Sequence, residues 1–170
     1  MNDDPVRLII TGGTFDKHYD ELKGELTFKE SNLPDIIKQV RIVSPVEFEL
    51  LQLIDSLQMT DDHRARILEA CRNAPEHRLV ITHGTDRMAE TARYLGPAGL
   101  NKTIVLTGAM IPFKISGSDS LFNLGTAFMA ARLLPPGVYV AMNGRSFPWQ
   151  DVRKDYARGV FRPAEETASA

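Results

Sequence analysis

Short apolar runs recur along the chain, VRLII at 6–10, QVRIVSP at 39–45, RLVITHG at 78–84, KTIVLTG at 102–108 and GVYVAMNG at 137–144. Uninterrupted β-branched runs of this length predict strands buried on both faces, as in a parallel sheet covered by helices. Three of the runs stop where threonine meets glycine, at Thr11-Gly12-Gly13-Thr14, Thr82-His83-Gly84 and Thr107-Gly108. Between the runs the apolar spacing changes to that of helices. Thr60 caps a helix running through Leu68 and Ala70, and Ala89, Ala92 and Leu95 share a face of a second helix after Asp86. A third spans roughly 121 to 134 and is closed by Pro135-Pro136-Gly137.

This alternation predicts an α/β fold, an open, mostly parallel sheet flanked by helices in the Rossmann-like manner. Residues 1–162 read as a single domain, 163–170 as a polar tail, with no second C-terminal domain, and GVF at 159–161 as a last short strand. The polar stretch 16–34, which contains Gly24, reads either as a lid or β-hairpin giving Tyr19 access to a ligand, or as an ordinary solvated excursion. In such sheets ligands bind outside the carboxyl ends of the strands. Thr14, Thr85, Asp86 and Gly108 all fall at such ends and can share one crevice, although Thr85 and Asp86 also suit the cap of the following helix.

Composition narrows the partner. The 170 residues carry 20 basic and 22 acidic side chains, a net charge of −2, so no strong field favours nucleic acid or an anionic membrane. A small, weakly charged ligand fits better. Cys71 is alone, which excludes an internal disulfide and a cysteine-rich zinc site, and suits a buried helical thiol. His18, His63 and His77 lack close ligand spacing, so neither metal nor cofactor is expected, and TGGTFD does not match the dinucleotide fingerprint. His83 reads as a structural hydrogen-bonding residue, and Met88 and Met110 as core or pocket lining. No basic, apolar secretory leader opens the chain and no run is long enough to span a bilayer, so the expected location is cytoplasmic.

Taken together, ITGGTFD, VITHGTDRMAETARYL and IVLTGAMIPF with SDSLFNLGTAFMAA resemble three blocks of the bacterial-type L-asparaginase family, in its short single-domain branch. DSLQMTDDHR at 55–64 is similar to the family's substrate loop, and NGRSFPWQDVRKD at 143–155 resembles the segment that supplies a lysine. The resemblance implies the fold of the asparaginase N-terminal domain and hydrolysis of L-asparagine to L-aspartate and ammonia through a threonine acyl-enzyme. It casts Thr14 as nucleophile, Tyr19 as its mobile activating partner, Ser56 as binder of the substrate α-carboxylate and Asp86 of its α-amino group. Thr85, Asp86 and Lys154 become a second hydrogen-bonded set, with Gly13, Gly84 and the backbone near Thr85 and Ala109 lining the substrate and oxyanion positions. A homo-oligomer is implied, a dimer first and a tetramer next, with the Pro148-Trp149 region or the helix at 121–134 as contact surface.

Two departures matter. Leu57 follows Ser56 where the family commonly has a polar residue, and the second domain, from which many members draw a neighbouring subunit's carboxylate, is not expected here. Glu21, Glu25 and Glu30 are candidate replacements. The alternatives are an amino-acid-binding or regulatory protein with little turnover, and a related small-amide hydrolase such as a glutaminase.

Overall fold

The computed structural model describes residues 4–164. In chain order they form β1 (Val6–Gly12), a hairpin of β2 (Lys17–Asp20) and β3 (Glu25–Phe28), α1 (Leu33–Gln39), β4 (Val46–Ile54), α2 (Asp61–Asn73) and β5 (Arg78–Thr82). There follow α3 (Met88–Leu95), β6 (Thr103–Thr107), α4 (Ser120–Leu133), β7 (Gly137–Met142), β8 (Arg145–Pro148), β9 (Arg153–Asp155) and β10 (Val160–Arg162). Six strands form one sheet in the order β4-β1-β5-β6-β7-β8, parallel except where β8 pairs antiparallel with β7. This is the mostly parallel α/β sheet that the sequence predicts.

Alternation along the strands divides the core. Ile9, Leu79, Ile81, Ile104 and Leu106 pack with Ile67 and Cys71 of α2 and Met88, Ala92 and Leu95 of α3. Leu8, Ile10, Val80 and Val105 point to the opposite layer, with Leu33 and Ile36 of α1 and Leu124, Ala127 and Phe128 of α4. Both faces are covered, and for that reason the central strands read as continuous apolar runs. The predicted cap of α2 is present as a capping box, in which His63 takes the role usual for Glu and its Nδ1 accepts the Thr60 backbone N–H at 3.0 Å. Cys71 is buried on α2, and burial pushes its thiol up to about 12.

One predicted strand is misplaced. Residues 39–45 are not a strand: Gln39 ends α1, Arg41 takes a left-handed φ of 53°, and pairing begins only at Val46. The reason is position in the sheet. β4 is an outer strand, so its sequence VEFELLQLI mixes Glu47 and Glu49 with exposed Phe48 and Leu50 and lacks the continuous apolar signal of a central strand. Within 16–34 the hairpin is realised, its turn closed by the Gly24 N–H donating to the Asp20 carbonyl at 2.8 Å. The short strand expected near 160 is β10, which pairs antiparallel with β9.

Trp149 packs against its own chain, whereas Pro148 beside it is exposed. A Cβ on Gly96 would lie 2.2 Å from the indole, so the ring lies flat on the end of α3 within the same chain, and Phe147 is buried in the core. Among the described residues, no helix is long and apolar enough to cross a membrane.

Candidate active site

The turns that leave β1 and β5 touch. A Cβ on Gly13, whose φ is 79°, would lie 2.3 Å from the Gly84 nitrogen, so only glycine allows this approach. The Gly13 N–H donates to the Ile54 carbonyl at 3.0 Å, which also draws the end of β4 into the same corner. Thr14 then opens a single 3-10 turn, Thr14–Asp16. Beyond Ile54, Ser56 is buried with its hydroxyl against Gly84, where a Cβ would lie 2.5 Å from Oγ, and it accepts the Arg87 N–H at 3.4 Å. The β6 end closes the group, because a Cβ on Gly108 would lie 2.4 Å from the His83 carbonyl and 3.4 Å from Cγ2 of Thr85. Ala109 is fully buried beside it. Gly13, Thr14, Ser56, Gly84, Thr85 and Ala109 therefore meet at the carboxyl ends of three adjacent parallel strands and the strand beside them.

Lys154 reaches this corner from β9, 69 positions after Thr85. Its Nζ donates to Thr85 Oγ1 at 2.8 Å and to Asp86 Oδ1 at 2.6 Å. The lysine side chain is 8% exposed and the Asp86 side chain 32%, so the ammonium is held out of water while the carboxylate keeps a face open to solvent. Tyr156 completes the arrangement by donating its hydroxyl to the Asp86 carbonyl at 3.0 Å, with its ring centroid 4.9 Å from Nζ. Since the ammonium only donates, it occupies a lone pair of Thr85 Oγ1 and leaves the threonine proton to be directed elsewhere.

Tyr19 stands apart. It lies on β2 opposite Leu26, is 58% exposed, and no hydrogen bond joins it to Thr14 among the described residues. Glu21, Glu25 and Glu30 are likewise exposed on or beside the hairpin. The base of the hairpin is nevertheless fixed. Lys17 Nζ pairs with Asp55 at 2.5 Å, and Asp55 accepts the Leu57 N–H at 3.0 Å, so the ion pair ties the hairpin to the Ser56 loop. Burial acts to raise the Asp55 carboxyl, but the bonds from Lys17 and Leu57 outweigh it and hold it below the usual carboxylate range. At the other end Asp16 is buried and accepts from the Asn32 N–H at 2.8 Å and the Ser31 hydroxyl at 2.9 Å; burial pushes its carboxyl up against those bonds.

Several contributing residues escape a sequence reading. Asp119 accepts the N–H groups of Met110 and Ile111, at 3.0 Å each, and Asn123 Nδ2 donates to the Gly108 carbonyl at 3.0 Å, so α4 holds the loop after β6. The serine and aspartate preceding an apolar helix at Ser118-Asp119-Ser120 are the signal available for this. Tyr156 has none, because its role depends on how β9 returns to the sheet.

His83 is fully buried as a hydrogen-bonding residue, its Nδ1 donating to the Gly84 carbonyl at 2.8 Å and its Nε2 accepting the Thr91 hydroxyl at 2.8 Å. Burial pushes its pKa down to about 4, so the ring is neutral. The unfolded chain takes up this proton near the ordinary value of 6.5, and the folded chain takes it up only near 4. Stability from this residue is therefore present above about 6.5 and is lost as pH falls toward 4, a change of about 3 kcal/mol. Urea midpoints measured across that window should fall more steeply for the native protein than for His83→Gln; parallel curves would contradict the assignment.

The chain is similar to known proteins over most of its length. The family model described as "Asparaginase, N-terminal" matches residues 5–161. L-asparaginase 2 of Escherichia coli is 30% identical over 159 residues, covering 88% of this chain and 46% of that protein. A component of the glutamyl-tRNA(Gln) amidotransferase of Aeropyrum pernix is 32% identical over 154 residues, covering 83% of this chain and 35% of that one. The solved thermostable L-asparaginase of Thermococcus kodakarensis superposes with a TM-score of 0.83 at 28% identity, covering 94% of this chain and 51% of that one. The chain thus spans about half the length, or less, of the proteins it matches.

Proposed function

The chain belongs to the asparaginase family, and from that premise we propose that it is an L-asparagine amidohydrolase producing L-aspartate and ammonia. The observation that carries the reading is the Lys154 ammonium bonded to both Thr85 and Asp86, beside the Thr14 turn and Ser56. A zwitterionic amino acid needs an anion for its ammonium and donors for its carboxylate. Asp86 supplies the first and Ser56 the second, which directs the side-chain amide toward the strand ends. There Thr14 Oγ1 attacks the amide carbon, and backbone N–H groups near Thr85 and Ala109 stabilise the oxyanion. The threonine proton passes to the departing nitrogen, ammonia leaves, and the acyl-threonine ester remains. Water then attacks the ester, with the Lys154-Thr85-Asp86 set holding and relaying its proton, and aspartate is released.

Thr14 needs a proton acceptor in the first step, and Tyr19 fills that role only when the hairpin carries it inward from its exposed position. Leu57, 60% exposed, offers no polar side chain to the substrate carboxylate, which favours a high KM. The same two observations favour the second reading, an amino-acid-binding protein with little turnover. The proposal includes self-association, with a homodimer as the expected unit, because α4 leaves Phe122, Met129 and Leu133 exposed.

The experiment is time-resolved release of aspartate and ammonia from the purified protein at millimolar L-asparagine, beside glutamate release from L-glutamine. One ammonia per aspartate, formed faster from asparagine, is the expected result. Faster reaction with glutamine would move the assignment to a glutaminase, and thermal stabilisation by asparagine without product would move it to a binding protein.

A further inference from the structure

We infer that Asn143 is a positioning residue that, through its side chain, sets the lysine strand in register with the oxyanion loop; this rests on the amidohydrolase reading above. Asn143 sits in the two-residue loop between β7 and β8, with φ at 56°, followed by Gly144 at 75°. An Asn-Gly pair is the ordinary choice for such a turn, so the backbone alone explains the residue type. Its side chain does something the turn does not require. Asn143 Oδ1 accepts the N–H of Phe161 at 2.9 Å, and Phe161 on β10 stands opposite Lys154 on β9. Phe161 is buried in the core, so this bond seats the β9–β10 pair on the sheet at the residue facing the lysine.

The backbone of Asn143 faces the other half of the site. Its N–H donates to Asn123 Oδ1 at 3.1 Å, and Asn123 Nδ2 donates to the Gly108 carbonyl at 3.0 Å and to Asp119 Oδ2 at 2.8 Å. Asp119 in turn accepts from Met110 and Ile111. Asn123 is fully buried, with both amide donors and its acceptor used. One connected series therefore joins the loop Gly108–Ile111, which contains Ala109, to the strand that presents Lys154. β9 and β10 form a separate two-stranded sheet, held beside the lysine by Tyr156 on the Asp86 carbonyl and by Arg93 on the Val152 carbonyl, and the Asn143 bond adds the attachment on the β10 side. A fixed Nζ-to-Thr85 distance depends on how that small sheet is docked.

Two substitutions separate the turn from the side chain. Asn143→Gly keeps a residue that adopts positive φ and removes the acceptor, whereas Asn143→Asp keeps both. Hydrogen exchange of the β9 and β10 amides, which needs no turnover, is measured beside kcat and KM for L-asparagine. The glycine variant is expected to exchange at least about tenfold faster in β9–β10 and to lose about 10- to 100-fold in kcat with KM within about threefold, while the aspartate variant stays near the native protein. Unchanged exchange in the glycine variant would overturn the inference, and so would an aspartate variant as impaired as the glycine one. A native protein that turns over nothing while the glycine variant still loosens β9–β10 would sink the amidohydrolase reading and leave the docking role standing.

Discussion

Thr14→Ala should lower asparagine turnover at least about 10³-fold with the fold intact, because the attacking oxygen is removed and no other hydroxyl lies on the same turn. Thr14 is only half buried and lies inside the turn rather than at its cap, which is Gly13, so a change of less than about 1 kcal/mol in unfolding free energy is expected. Single-turnover measurement of aspartate and ammonia, with a urea titration on the same sample, tests both parts. Thr14→Ser keeps a nucleophilic oxygen on the same turn and should recover part of the rate. An alanine variant within tenfold of the native rate would place the nucleophile elsewhere, and Thr85 would be the next candidate.

Lys154→Met is the second large effect. Proton-transferring and hydrogen-bonding groups of this kind contribute about 10²- to 10⁴-fold, and the lysine donates to both Thr85 and Asp86. The loss should fall on kcat, since in the proposed mechanism the ammonium touches the groups that relay the proton, while Asp86 is left to hold the substrate amine. Removing the cation leaves a carboxylate that is about one-third exposed, so water replaces much of the lost interaction and a stability cost of about 1 kcal/mol is expected. Lys154→Arg retains the charge and should not restore the rate, because a planar guanidinium cannot occupy the point position between two oxygens. Pre-steady-state kinetics locate the defect: a burst of ammonia followed by slow aspartate release would show that deacylation is the step affected. A methionine variant with more than a tenth of the native kcat would remove Lys154 from the mechanism.

Much of the fold is legible because the central strands carry a physical signature. β1, β5, β6 and β7 are covered by helices or turned into the core, so VRLII, RLVIT, KTIVLT and GVYVAM are apolar almost throughout, and glycine lies at or just beyond each end. β4 is not legible, since an outer strand has fewer neighbours and its alternating glutamates resemble a loop or a helix as much as a strand. Trp149 is less legible for a related reason: nothing in the local pattern shows that one face of its ring packs on Gly96 at the end of α3.

The candidate site divides along the same line. That Thr14, Thr85, Asp86 and Gly108 lie at strand ends follows from local pattern, because glycine and threonine after a buried run mark the point where a parallel strand must stop. That Gly13 presses on Gly84, that Ser56 fills the space a Cβ would need there, and that Lys154 arrives between Thr85 and Asp86 from 69 positions away are decided by tertiary packing. The hairpin is intermediate: its existence can be read from the polar stretch, but its Lys17–Asp55 anchor and the exposed position of Tyr19 cannot. By itself the sequence determined the sheet, the helices that cover it and the chemical groups at its carboxyl edge, because burial and turn geometry act over a few neighbouring residues. Which of those groups bond to one another was decided by the docking of β9 and β10 and the closeness of glycine turns, where contacts form between segments that share no local pattern.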